Sequence, residues 1–169
     1  MKDLYAPWRS PYSASLDKSK KQKTKPNECV FCFEKNTKED EQNFILKRYK
    51  HCYAILNKYP YNAGHIMVIP FAHVKDLQSL EQAARHEIMD AVNSCIEIVQ
   101  KVLKCEGINV GLNLGRASGA GIPNHLHMHI LPRWEGDTNF LPTLANTKVI
   151  SFDLKEIYEA LKPVLNKAF

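Results

Sequence analysis

Three histidines, His125, His127 and His129, alternate with Leu126, Met128 and Ile130 in the run from Asn124 to Arg133. Alternation with period two is the signature of a β-strand, on which residues two apart project from one face. The imidazoles would then line up at intervals of roughly 6.5–7 Å, with an aliphatic face behind them. A row of this kind can bind metal, handle phosphate, shuttle protons or supply an imidazole nucleophile. A single strand histidine is ordinarily a packing residue. Three on one face beside a glycine-rich turn call for a site.

That turn reads Gly115-Arg116-Ala117-Ser118-Gly119-Ala120-Gly121-Ile122-Pro123. Small residues let backbone N–H groups approach an anion closely, and Arg116 and Ser118 add donors. It is not a P-loop, because no Gly-Lys-Ser/Thr ending is present and a strand follows instead of a helix. Alone it would be a hairpin loop. Feeding into three co-facial histidines, it reads as a phosphate cradle. Cys29-Val30-Phe31-Cys32 is a second candidate, as a redox pair, half a zinc site, or two buried small residues. The surrounding pattern is not βαβ, so a thioredoxin-like reading is poor.

Positioning these residues requires a sheet. Residues 44–49 and 52–56 read as strands joined by a tight turn near Lys50-His51, and residues 57–64 carry Pro, Asn and Gly, which form loops. Residues 65–69 form a third strand ended by Pro70. Ser79-Leu80-Glu81-Gln82 resembles a capping box that opens a helix reaching about Lys104. Ile88, Val92, Cys95, Val99 and Val102 lie on one side of it at helical spacing. Residues 108–114 form a strand before the glycine turn, and 153–165 form a terminal helix interrupted or kinked at Pro163. Strands that meander, a crossing helix, then a hairpin predict an α+β fold with a mainly antiparallel sheet.

The bulk properties agree with one domain. At 169 residues with 44% hydrophobic content, the chain can bury a sizeable core. No apolar run reaches membrane-spanning length, and the N-terminus lacks the apolar stretch of a signal peptide. Five cysteines in no dense framework point to a reducing compartment, hence a cytoplasmic protein. The net charge of +5 is local: residues 18–25 contain five lysines and no acid, leaving 18 basic and 18 acidic residues elsewhere. This segment reads as a solvated linker, because no aromatic residues are interleaved as a nucleic-acid stacking platform requires. Residues 1–28 are thus an N-terminal extension with a Lys-rich segment, and 29–169 the single domain.

His-Leu-His-Met-His-Ile-Leu at 125–131 resembles the His-φ-His-φ-His-φ-φ signature of the histidine triad (HIT) superfamily of nucleotide hydrolases and transferases. Asn57 to Pro70 is similar to the family's loop-strand segment, and Asn109 to Gly115 to the strand facing the triad. Pro7-Trp8-Arg9, Gly136 to Phe140 and Thr147-Lys148-Val149 resemble the branch acting on diadenosine tetraphosphate-type molecules, by hydrolysis or phosphorolysis. The resemblance implies a HIT-like fold with one long crossover helix and a C-terminal helix. It also implies that His127 is the nucleophile that forms a nucleotidyl-histidine, that His129 bonds a non-bridging oxygen, and that Asn113 positions the phosphate or leaving group. Amides near Gly119 and Gly121 would share the oxygen, with Arg116 and Ser118 beside them, and Asn57 would grip the ribose. Trp8, with Arg9 and Tyr12, would stack a base or simply anchor the N-terminus.

The family also implies a closed zinc site from Cys29, Cys32, His73 and His125, magnesium accompanying the substrate, and a homodimer. His65, in the family's Gly-His strand, is expected to be structural. One departure concerns Gly121-Ile122-Pro123, where many members carry Gln-Ser/Thr-Val. The hydroxyl that bonds the leaving-group oxygen is missing there, with Ser118 the candidate to replace it, so water and phosphate both stay open as acceptor. The leading substrate is a dinucleoside polyphosphate, with adenylylated small molecules as the alternative. Readings from other classes are a regulatory nucleotide-binding module with little turnover and a zinc-stabilised nucleic-acid binder using the lysine segment.

Overall fold

A computed structural model describes residues 29–32, 39–150 and 152–167. The expectations for Trp8, Arg9, Tyr12 and the lysine segment therefore lie outside the described residues. The chain forms β1 (Ile45–Arg48), β2 (Cys52–Leu56), β3 (Ile66–Pro70), a long helix α1 (Gln82–Leu103), β4 (Gly107–Leu112), β5 (Met128–Arg133), a one-turn helix α2 (Leu141–Ala145) and α3 (Leu154–Lys167). The five strands make one antiparallel sheet in the order β1-β2-β3-β5-β4. Helix α1 carries the chain from β3 past the slot that β5 fills, so the β4–β5 hairpin adds β5 next to β3. This is the α+β architecture expected from the pattern of elements.

β2 and β3 are buried at every position because both faces of the sheet are covered. On one face, Leu46, Ala54, Leu56, Ile66, Val68, Leu126, Met128 and Ile130 pack against α1 and α3. α1 contributes Ala84, Ile88, Ala91, Val92, Cys95, Ile98 and Val99, a helically spaced stripe. On the other face lie Ile45, Tyr53, Ile55, Met67 and Ile69, capped by Phe31. The histidines share this second face. Among the described residues, no helix is long and apolar enough to cross a membrane.

Three local expectations need correction. The Ser79–Gln82 capping box does not form: the helix starts at Gln82, its N-cap Glu81 makes no side-chain cap, and Ser79 instead bonds Asp76 through its amide and hydroxyl. The short Asp76 side chain reaches Ser79 first and closes a local turn. α3 is not interrupted at Pro163 but continues to Lys167, its first turn capped by Asp153 accepting from the amides of Lys155 and Glu156. Burial of Ile157, Tyr158, Leu161 and Leu165 outweighs the one backbone bond that proline removes. The histidine strand starts at Met128, three residues later than the alternation suggested.

Candidate active site

His129 lies within β5, paired with Met67 of β3 and Gly111 of β4. His127 precedes the strand by one residue, yet the alternation holds, because Leu126, Met128 and Ile130 are buried on the helical side. His127 is itself buried, with its Nδ1 at 2.8 Å from the carbonyl oxygen of His125. A carbonyl only accepts, so Nδ1 carries the proton and Nε2 keeps its lone pair. Burial lowers the pKa of His127, which favours the neutral ring. The ring of Phe31 stands 5.1 Å away and that of His129 4.9 Å. In that neutral form, Nε2 is the ring nitrogen of His127 that carries the lone pair.

A second chain of bonds fixes His129. The amide of Tyr61 donates to Nδ1 of His65 at 3.1 Å, and the side-chain amide of Asn57 approaches the same atom at 3.3 Å. His65 Nδ1 is thus the acceptor, so its Nε2 carries the proton and donates to His129 Nδ1 at 2.9 Å. By the same bookkeeping, His129 presents Nε2–H, a buried donor with no protein partner among the described residues. Such a group is costly to leave unpaired unless an acceptor arrives. Burial, then the neighbouring imidazoles, push His65 down to about 3 and His129 down to about 4, so both are neutral at pH 7. His65 is the residue that sequence reasoning assigned to structure alone. Only the β3–β5 pairing brings it to His129, and sequence spacing does not reveal that neighbour relation.

The ligand atoms of Cys29, Cys32, His73 and His125 lie within 4.8 Å of one another and could hold a metal ion. His125 Nδ1 is 3.3 Å from Cys29 Sγ and 3.6 Å from Cys32 Sγ, while His73 Nδ1 is 3.1 Å from Cys32 Sγ. His125 Nε2 donates to the carbonyl of Pro70 at 2.9 Å, which leaves the Nδ1 lone pair aimed at the sulfurs. Burial lowers the pKa of His125, as a neutral ligand needs. Burial and the adjacent Cys29 push the Cys32 thiol up to about 11, a state that a bound cation would reverse. His125 thus serves two ends: its ring joins the cluster and its carbonyl sets the His127 tautomer.

The remaining candidates lie in the loop before β3 and in the stretch just after β4. Asn113 is half-buried one residue beyond β4, on the same alternation as Gly111. Arg116, Ser118, Gly119 and Gly121 are exposed in the following turn, and the Ser118 hydroxyl is engaged with the carbonyl of Gly115 at 2.7 Å. Asn57 also accepts the amide of Tyr59 at 2.9 Å. A brace not foreseen from the sequence holds the loop ahead of His65. Asp137 accepts from Arg133 Nε at 2.6 Å, from Arg133 Nη2 at 3.0 Å and from Asn62 Nδ2 at 2.8 Å. Arg133 holds the Asp137 carboxyl well below the usual carboxylate range. Asn62 also donates to the carbonyl of Pro132, which ties this loop to the C-terminal end of β5.

The sequence profile of the HIT domain matches residues 37–136, more than half of the chain. The chain belongs to the HIT domain family. This HIT protein is 36% identical over 147 residues to a Mycobacterium tuberculosis protein named AP-4-A phosphorylase, covering 87% of this chain and 75% of the relative. A Schizosaccharomyces pombe protein named asymmetrical bis(5'-nucleosyl)-tetraphosphatase is 30% identical over 93 residues, or 55% of this chain and 50% of that one. Among solved structures, a zinc-bound histidine triad family protein from Mycobacterium smegmatis superposes with a TM-score of 0.66 at 21% identity, over 85% of this HIT protein and 97% of the other chain. The last likeness supports the fold.

Proposed function

We propose that this HIT protein cleaves dinucleoside polyphosphates, such as diadenosine tetraphosphate, through a nucleotidyl-histidine on His127. The observation that carries the reading is the pair of fixed tautomers: His127 with a free Nε2 lone pair, beside His129 with an unpartnered Nε2–H. Nε2 of His127 attacks the α-phosphorus, and the P–O bond to the leaving polyphosphate breaks with its electron pair. The carbonyl of His125 stabilises the positive ring that results, while His129 donates to a non-bridging oxygen. Water or orthophosphate then attacks the same phosphorus and breaks the N–P bond. Asn57 would hold the ribose, Asn113 the phosphate, and the turn carrying Arg116, Ser118, Gly119 and Gly121 the rest of the polyphosphate. Relatives named phosphorylase and tetraphosphatase support the substrate class.

Zinc is the ion we assign to Cys29, Cys32, His73 and His125. Bonds of 2.0–2.3 Å in a tetrahedron give ligand–ligand edges of about 3.5 Å, close to the 3.1–3.6 Å between sulfurs and ring nitrogens. A bound zinc would pin the segment of Cys29 and Phe31 against the approach to His127. We also propose a homodimer joined at β4, an edge strand that exposes Val110, with Leu114 and Met89 of α1 exposed nearby in sequence or on the same side of the sheet. Incubation with diadenosine tetraphosphate, with and without orthophosphate, tests the activity. ADP formed only with phosphate identifies a phosphorylase, and AMP plus ATP in both identifies a hydrolase. No turnover by the wild type would refute the substrate.

A further inference from the structure

The half-exposed ring of Tyr61 lies over the two histidines behind the nucleophile. Its centroid is 5.7 Å from that of His129 with planes 30° apart, and 4.6 Å from that of His65 with planes 49° apart. Tyr61 is 50% exposed, whereas His65 beneath its ring is 1% exposed. The same residue's amide supplies the bond that makes His65 Nδ1 an acceptor. One residue therefore orients the row through its backbone and covers it through its side chain.

We propose that Tyr61 is a positioning residue, whose ring roofs the His65–His129 pair so that His129 keeps a neutral ring and a fixed Nε2–H for the substrate's phosphate oxygen. This rests on the nucleotidyl-transfer reading of the site. The physical basis is water exclusion. A ring stacked on an imidazole removes solvent that would stabilise its charged form, and the preference of aromatic pairs for offset contact holds it there. Among the described residues, His129 is faced by His127 from its own segment, by His65 at the start of β3, and by Tyr61 from the loop before β3. Its β4 neighbour is Gly111, which bears no side chain. None of these neighbours is an acid that could hold the ring protonated, so cover by Tyr61 is the adjustable part. The position is also well suited to substitution, because Tyr61 is half exposed and lies outside both core clusters.

The test compares zinc-loaded wild type with Tyr61→Ala and Tyr61→Phe. Long-range proton–nitrogen NMR of the ring nitrogens reads the tautomer and titration midpoint of His129 without any substrate. In the wild type and Tyr61→Phe, His129 should keep its proton on Nε2 and titrate well below ordinary histidine. In Tyr61→Ala the midpoint should rise by at least about one pH unit, because desolvation is the leading cause of its depression. With diadenosine tetraphosphate, Tyr61→Ala should lose about tenfold or more in kcat with KM changed far less, as expected when a donor is misplaced. An unchanged His129 midpoint and tautomer in Tyr61→Ala would overturn the proposal, even if the melting temperature falls. So would a Tyr61→Phe shift equal to that of Tyr61→Ala, which would assign the effect to the hydroxyl. Because the NMR readout needs no turnover, it decides on Tyr61 even if the dinucleotide is not cleaved.

Discussion

Gly64 adopts φ of +69°, in the left-handed region that favours glycine, and it immediately precedes His65. A Cβ built there would lie 2.4 Å from Cδ1 of Leu103 and 3.3 Å from Cγ of Pro132. Gly64→Ala thus carries two costs. The left-handed backbone costs an alanine roughly 1–2 kcal/mol. Crowding in a packed site costs about 1–3 kcal/mol, and the lower part applies because Leu103 meets the new methyl with the end of a flexible, half-buried side chain. Together they give about 2–4 kcal/mol, or a fall in Tm of roughly 4–16 °C for a chain of this size. Gly111→Ala is the matched control. Its Cβ meets nothing within 4 Å, so stability should change by less than about 1 kcal/mol. Because Gly111 pairs with His129 on the histidine face, its methyl should still impair nucleotide binding. Thermal and urea denaturation of both variants provides the check. A Gly64→Ala protein that melts within about 2 °C of wild type would refute the packing argument.

Other perturbations separate the site's parts. His127→Ala should reduce turnover by at least about a thousandfold while leaving nucleotide binding by calorimetry within a fewfold of wild type; retained turnover would exclude His127 as nucleophile. Cys29→Ser or Cys32→Ser should lower zinc content below one per chain, measured by elemental analysis, and reduce Tm; full zinc content in either would reassign the metal. The depressed pKa values of His65 and His129, about 3 and about 4 against 6.5, carry a stability sign. Below pH 6.5 the unfolded chain binds protons that the folded one refuses, so stability should fall progressively from pH 6.5 towards 4 and be flat with respect to these groups above about pH 7.5. A urea midpoint that does not fall between pH 6.5 and 4.5 would contradict their burial as neutral rings.

Much of this was legible in the chain because period and residue type coincide. The alternation through Leu126, Met128 and Ile130 gave the histidine face, and helical spacing of Ile88, Val92, Cys95 and Val99 gave the crossing helix. The four residues of the cluster lie far apart in sequence, and family resemblance, not spacing, linked them. What was not legible depends on which strands become neighbours and which side chains compete locally. The bond between His65 and His129 exists only because β5 inserts beside β3. The Asp137 brace likewise requires Asn62 and Arg133 to meet across that pairing. At Ser79, a local bond to Asp76 displaced the capping box that the residue types suggested.

Transfer through a covalent bond to Nε2 of His127 is the step on which the proposed chemistry turns. Rapid quenching of a single turnover with labelled diadenosine tetraphosphate, followed by peptide mass spectrometry under alkaline conditions, tests it most directly. One adenylyl group is expected on the peptide containing His127, formed and discharged at rates that sustain turnover, and absent from His127→Ala. Turnover with no labelled peptide, or label persisting in His127→Ala, would contradict it.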